Sequence, residues 1–219
     1  MVRIQINGQE VKIEENKRLW EIMKERGIKV PHFCYHEGLS IGGNCRACVV
    51  ETKMEMNGIE MSKMIPSCTV EITRMNEGHK YETESEGAID AREAVMELLL
   101  KNHPLDCPIC DEGGECTLQD QALKYGRVWG ISDEVKRRGV EDQNWGPLIK
   151  TVMTRCILCT RCVRYDRDII GENKIITYGR GVKTKIKLIG DRIESEISGN
   201  VVDLCPIGMI NQRLSINLH

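Results

Sequence analysis

The stretch Val2-Arg3-Ile4-Gln5-Ile6-Asn7-Gly8-Gln9-Glu10-Val11-Lys12-Ile13 decides how the fold opens. Apolar residues at 2, 4 and 6, then at 11 and 13, alternate with polar ones, the period of a strand with one buried face. Asn7-Gly8 between the two runs is the pair that a two-residue hairpin turn favours, because both central positions take positive φ. Leu19, Trp20, Ile22 and Met23 follow at helical spacing, and Gly27 stops the run. A hairpin followed by a helix is the opening of a β-grasp domain. Further strands are expected over Cys48 to Lys53 and Cys68 to Thr73, with Met56-Asn57-Gly58-Ile59 as a second hairpin turn.

Beyond this unit, Ala88 to Leu100 reads as a helix with Val95, Leu98 and Leu99 on its apolar face, ended by His103-Pro104. A glycine-containing loop from Cys107 to Cys116 leads into a short helix, Leu118 to Tyr125, that stops at Gly126. Residues 127–150 read as irregular and charged, with Lys136-Arg137-Arg138 and Glu141-Asp142 as solvated surface. From Thr151 onward a helix is expected over Cys162 to Ile170. Short strands are expected at Ile175-Ile176 and along Val182, Ile186 and Leu188, with a turn at Gly190-Asp191. Trp20, Trp129 and Trp145 read as structural residues.

Composition narrows the class. The chain has 219 residues, 31 basic and 33 acidic, for a formal net charge of -2, which gives no basis for nucleic-acid or polybasic membrane contact. Aromatic content is 4% with the single Phe33, so bound metal would supply folding energy that a modest core lacks. Eleven cysteines are an odd number, several in x2 spacings, and the first residues already read as a strand rather than a signal peptide. Reduced thiolates sharing metal fit this better than a disulfide scaffold. No apolar run reaches the length of a membrane-spanning helix, so membrane association is expected only through partner subunits. There is no G-x-G-x-x-G after a strand, no P-loop and no nucleophile–base constellation, so no catalytic residue is expected.

With one histidine, the cysteines divide into three sets of four and none is left over. Cys34, Cys45, Cys48 and Cys68 give C-x10-C-x2-C-x19-C, close to the plant-type 2Fe–2S pattern except for a longer first gap. His103, Cys107, Cys110 and Cys116 give H-x3-C-x2-C-x5-C, in which His103 supplies the fourth ligand that three cysteines require. Cys156, Cys159 and Cys162 give C-x2-C-x2-C, with Cys205-Pro206 as the remote fourth. Asp166 stands where a two-cluster ferredoxin would place another cysteine, so one 4Fe–4S cluster is expected here. Structural zinc is the alternative for each set. Arg155, Arg161 and Arg164 flank the third set, either as exposed charges or as guanidinium donors favouring a reduced cluster.

Four stretches carry a resemblance: His103-Pro104-Leu105-Asp106-Cys107-Pro108-Ile109-Cys110-Asp111, Gly146 to Cys156, Cys159-Thr160-Arg161-Cys162-Val163-Arg164, and Ser198 to Gly208. The chain resembles the N-terminal part of the largest iron–sulfur subunit of respiratory complex I, NADH:ubiquinone oxidoreductase. The resemblance implies an α+β chain with a 2Fe–2S ferredoxin-like β-grasp domain over residues 1–84 and a His/Cys 4Fe–4S domain over 85–126. A linker and a 4Fe–4S domain would fill 127–219. It implies one 2Fe–2S and two 4Fe–4S clusters, fed from a flavin in an NADH-oxidising partner subunit, and a peripheral-arm position with other complex I subunits. That position would be the matrix side of the mitochondrial inner membrane or the cytoplasmic face of a bacterial one. The family's C-terminal domain, which resembles molybdopterin oxidoreductases, is not expected in this chain and would be a separate polypeptide or lacking. The alternatives are the small diaphorase subunit of an NAD-reducing hydrogenase and a zinc-stabilised interaction module.

Overall fold

A computed structural model of the chain describes residues 1–56, 58–136 and 139–213. The expected turn residue Asn57 and the charged pair Arg137 and Arg138 lie outside the described residues. Strands β1 (Val2–Ile6) and β2 (Gln9–Ile13) pair antiparallel with Ile4 opposite Val11, and Asn7 and Gly8 turn between them at φ 50° and 78°. Asn7 Oδ1 also accepts the Thr83 N–H at 2.8 Å, fixing the turn to the far end of the unit.

Strand β3 (Lys17–Arg18) enters helix α1 (Leu19–Glu25). Strands β4 (Val49–Met56) and β5 (Ile59–Pro66) make the second hairpin. After β6 (Glu71–Ile72), strand β7 (Lys80–Glu82) inserts at the centre of the sheet, giving the order β2-β1-β7-β4-β5. The β1–β7 pair is parallel and the others antiparallel. Leu19, Ile22 and Met23 of α1 are fully buried with Val2, Ile4, Ile6, Val50 and Tyr81 beneath the sheet. Each such side chain contributes about 1.5–3 kcal/mol. This is the expected helix laid across one face of a mixed sheet.

The expected strand over Cys68 to Thr73 is corrected. Cys68 sits in a 3-10 turn, Ser67–Thr69, and only Glu71–Ile72 pair, with Lys17–Arg18. Both Ser67 N–H and Ser67 Oγ–H donate to the Cys48 carbonyl, at 3.0 and 2.9 Å, which bends the chain over Cys48.

Helix α2 (Glu86–Lys101) is capped by Ser85 Oγ, which accepts the Ala88 N–H at 3.3 Å. Its fully buried face carries Ala88, Arg92 and Met96, while Leu98 is 70% exposed, contrary to its expected place on the apolar face. Arg92 sets this rotation, because its Nε and Nη2 donate to the Val49 carbonyl at 3.2 and 3.1 Å. Helix α3 (Thr117–Tyr125) follows the second cysteine loop. Gln121 on α3 bonds both the N–H and the carbonyl of His32, each at 3.0 Å.

The remaining chain is built from short pieces. Strand β8 (Ile149–Thr151) pairs antiparallel with β11 (Ile210–Gln212), a contact the sequence reading lacked. Helix α4 (Arg161–Tyr165) widens into a π turn over Asp166–Ile170, so the expected helix is an α segment followed by a π segment. The fully buried Asp166 accepts the Ile175 N–H at 2.6 Å, which draws the chain out of regular helix. Strands β9 (Ile175–Tyr178) and β10 (Lys185–Leu188) pair, while Val182 lies outside them in a 3-10 turn. Helix α5 (Val201–Leu204) delivers Cys205. Trp20 and Trp145 are buried, but Trp129 is 73% exposed.

A second core runs through this half and takes in Phe33, Cys34, Leu39 and Ala47 from the loop after α1. The loop that carries the first cysteines is thus packed against the later chain. Among the described residues no helix is long and apolar enough to cross a membrane.

Candidate metal centres

The first set is assembled at one end of the sheet. The loop after α1 brings in Cys34 and Cys45, the start of β4 brings Cys48, and the 3-10 turn brings Cys68. Cys34, Cys48 and Cys68 are each 1% exposed. Their thiols form a connected group in which Cys34 meets Cys45 and Cys68, and Cys68 meets Cys48. Hydrogen bonds from the Cys45 and Cys68 thiols, aided by the N–H groups of Cys45 and Asn44, hold the Cys34 thiol well below its ordinary range. Bonding to Cys34 and burial push Cys45 up. The Cys34 N–H in turn donates to Cys45 Sγ at 3.4 Å. A buried thiol group ringed by N–H donors suits anionic sulfur.

The second set lies in the loop between α2 and α3. Cys107 is exposed at the start of a 3-10 turn, Cys107–Ile109, and Cys116 is 7% exposed at the entrance to α3. Burial raises the Cys116 thiol, and the N–H groups of Gln119 and Leu118 point at it in opposition. His103 follows α2. Burial, reinforced by the charges of Lys136 and Arg155, lowers its pKa below the ordinary imidazole range, and its ring donates to the Arg155 carbonyl. The neutral ring with one nitrogen so engaged keeps the other nitrogen's lone pair for a metal. An ideal Cβ on Gly208 would lie 2.4 Å from Cys110 Sγ, so the backbone after Cys205 passes directly against this set.

The third set lines one small, largely closed pocket of about 10 Å³. Cys156, Cys159, Cys162 and Cys205 all line it, together with Ile186, Ile207, Met209 and Arg161. Burial pushes the thiols of Cys156 and Cys205 up to about 12. Bare, these groups are protonated; ligation requires their protons to leave and a metal to supply the compensating charge. Leu158 and Thr160 take φ of 56° and 60°, a left-handed backbone that non-glycine residues seldom adopt. This winding aims N–H groups at sulfur: Leu158 at Cys156 Sγ (3.4 Å), Arg161 at Cys159 and Val163 at Cys162. Arg161 Nε is buried without a partner among the described residues, as expected of a donor for a bound group's sulfide. The four-cysteine donor set and the orphaned donor fit an iron–sulfur cluster.

The three arginines flanking the third set are tied into the structure rather than solvated. Arg155, 5% exposed, donates to Asp106 Oδ2 at 3.2 Å and to the Gly208 carbonyl at 3.1 Å, joining the second set's loop to the third's. Arg161 donates to the Tyr35 carbonyl at 2.8 Å and the Leu204 carbonyl at 3.4 Å. Arg164 donates to the carbonyls of Cys34, Ser40 and Cys159. Asn44 Nδ2 adds a bond to the Leu158 carbonyl at 2.7 Å. The third set therefore sits between the other two. Sequence reasoning missed Asn44 and Gly208; the Cys-Pro-x-Gly run was the available signal for the latter.

Family models match in three consecutive blocks: a 2Fe-2S iron-sulfur cluster binding domain over residues 1–86, an NADH-ubiquinone oxidoreductase-G iron-sulfur binding region over 92–128, and an NADH-quinone oxidoreductase subunit 3 ferredoxin-like domain over 146–211. An NADH-quinone oxidoreductase subunit of Rickettsia bellii is 44% identical over 214 residues, 97% of this chain and 30% of the relative. The NADH-ubiquinone oxidoreductase 75 kDa subunit of Reclinomonas americana is 45% identical over the same share of each chain. The mitochondrial 78 kDa subunit of Neurospora crassa is 46% identical over 97% of this chain and 28% of its own length. The chain thus spans about a third or less of the relatives it matches. Among solved structures, a chain of an NAD+-reducing [NiFe]-hydrogenase superposes with a TM-score of 0.83, covering 98% of this chain and 88% of the other at 23% identity, which shows a shared fold.

Proposed function

Since this chain corresponds, along 97% of its length, to the N-terminal iron–sulfur region of the 75–78 kDa subunit family of NADH-quinone oxidoreductase, we propose that it carries single electrons through three iron–sulfur clusters in the peripheral arm of such a complex. The observation that carries this reading is the row of three donor sets joined by buried arginines, with the third set in the middle. Cys34, Cys45, Cys48 and Cys68 would hold a 2Fe–2S cluster. His103, Cys107, Cys110 and Cys116 would hold one 4Fe–4S cluster, and Cys156, Cys159, Cys162 and Cys205 another. Bound clusters supply one-electron chemistry with no bond made or broken at the protein. The chain's own residues exclude water from the sulfurs, aim N–H groups at them and set positive guanidinium groups beside them; the donors and the positive charge favour the reduced state.

The residues 1–84, 85–126 and 127–219 are read as the three cluster-bearing units. Electrons would arrive at the first set from a flavin-bearing NADH-oxidising partner, cross to the third set and leave from the second, towards quinone. The enzyme is then the whole complex, and this chain converts no substrate itself. Its place would be on the matrix side of the mitochondrial inner membrane or the cytoplasmic face of a bacterial one. The alternative of a hydrogenase diaphorase subunit has the shared fold in its favour, but the oxidoreductase relatives are the more similar in sequence, at 44–46% against 23%. Zinc is the less favoured alternative because the family models that match the chain are those of 2Fe-2S and iron-sulfur binding regions.

Electron paramagnetic resonance of the stepwise reduced chain tests the order. Magnetic coupling between the first and third signals, and between the third and second, should exceed that between the first and second. Strongest coupling between the first and second would overturn the arrangement.

A further inference from the structure

Arg164 is 4% exposed and lies on α4, two residues beyond Cys162. Its single Nη2 amine is shared between the carbonyls of two cysteines from different sets, Cys34 and Cys159, the latter at 3.3 Å. Its Nη1 reaches the carbonyl of Ser40 in the loop between Cys34 and Cys45. Its Nε is buried and has no partner among the described residues. A Cβ added to Gly42 would stand 2.8 Å from Asn44 Oδ1 and 3.2 Å from the guanidinium carbon, so the glycine leaves room for both side chains. No carboxylate pairs with this cation among the described residues, whereas the neighbouring Arg167 is half exposed and paired with Asp168 at 2.8 Å. A buried, permanently charged guanidinium with no acidic partner is costly unless negative charge arrives beside it. Two cysteine sets lie beside it, and once they ligate as thiolates they supply that charge.

We propose that Arg164 is the shared cation of the first and third sites: it holds one ligand backbone from each and stabilises the added electron on both. This rests on the cluster assignment above. Reduction adds one negative charge to either site, and one guanidinium serves both, so its removal disfavours reduction at both sites together. The second site, reached through Arg155, is outside its range.

The test is a potentiometric titration of the full chain followed by electron paramagnetic resonance. For Arg164→Gln, both the first and third midpoints should fall, each by at least the shift equal to a tenfold bias towards the oxidised form, about 59 mV. The second midpoint should stay in place. Arg164→Lys, which keeps the charge and loses the fork, should recover at least half of that fall. Arg167→Gln, a surface cation of the same seam, should move neither. A shift at only one site, equal shifts in the Gln and Lys variants, or an equal shift in Arg167→Gln would overturn the inference. If Arg164→Gln fails to retain clusters, Arg164→Met decides, because it keeps the buried stem and removes only the charge and its donors: a parallel fall supports the proposal and unmoved midpoints overturn it. Wild-type protein lacking either signal would overturn the cluster assignment and this inference with it, whereas wild-type signals with unmoved variants overturn this inference alone.

Discussion

Replacing Gly208 by alanine is the sharpest perturbation of the second site. The added methyl would sit 2.4 Å from Cys110 Sγ and 3.3–3.4 Å from the Glu112 side chain. Ordinary contact between such atoms is about 3.5–4.0 Å, so the overlap with sulfur exceeds about 1 Å. Gly208 does not occupy the left-handed region, so alanine carries no backbone strain and the effect is purely steric. If Cys110 is free, its thiol swings to another rotamer at small cost. If Cys110 is bound to iron it cannot swing, and the overlap costs about 1–3 kcal/mol, as overpacking does. The assay is iron content together with the paramagnetic signals of the reduced protein. The Ala variant should lose or distort the second signal and keep the first, and a serine variant should do so more severely. A variant with wild-type iron and three unchanged signals would show that Cys110 moves freely and that the second donor set is wrong.

Further outcomes follow from the same geometry. Arg92→Ala removes two donors from the Val49 carbonyl and should destabilise the chain by about 3–5 kcal/mol, and Arg92→Met by about 1–3 kcal/mol, since it keeps the stem and buries no charge; urea-dependent bleaching of visible absorption reads both, and equal losses would refute the distinction. His103→Cys adds a negative ligand, worth about 3 kcal/mol at about 5 Å in an effective dielectric of about 20; the second midpoint should fall by about 130 mV, and an unmoved midpoint would make His103 a bystander. Burial lowers the pKa of His79, so its contribution to stability is complete above the unfolded value of about 6.5 and is lost as pH falls below it through the folded pKa. His79→Gln should flatten the pH dependence of stability between about pH 7 and 5, and an unchanged slope would refute this.

Much of the first unit was legible because its signals are local. Asn7-Gly8 and the alternation around it need only neighbouring residues to specify a hairpin. The three proposed donor sets come from counting alone, because soft ligands come in fours. What escaped depends on distant partners. Arg92 looks like a polar residue on a helix, and only the Val49 carbonyl, 43 positions away, turns it inward in place of Leu98. The β8–β11 pair has three residues on each strand, too few for a periodic signal, and its register is fixed by the closure of the chain around the third set. The break after Tyr165 follows from one buried carboxylate, Asp166, whose partner Ile175 lies nine residues on. Arg161 and Arg164 could be read as surface charge or as donors to a cluster, and the structure rules out surface charge by tying both to backbone carbonyls near Cys34.

Metal analysis of the purified chain decides whether its twelve proposed ligands hold three clusters. One two-iron and two four-iron clusters require about ten iron atoms per chain with nearly as much acid-labile sulfide. Zinc near stoichiometric with the sites, and little sulfide, would contradict that assignment.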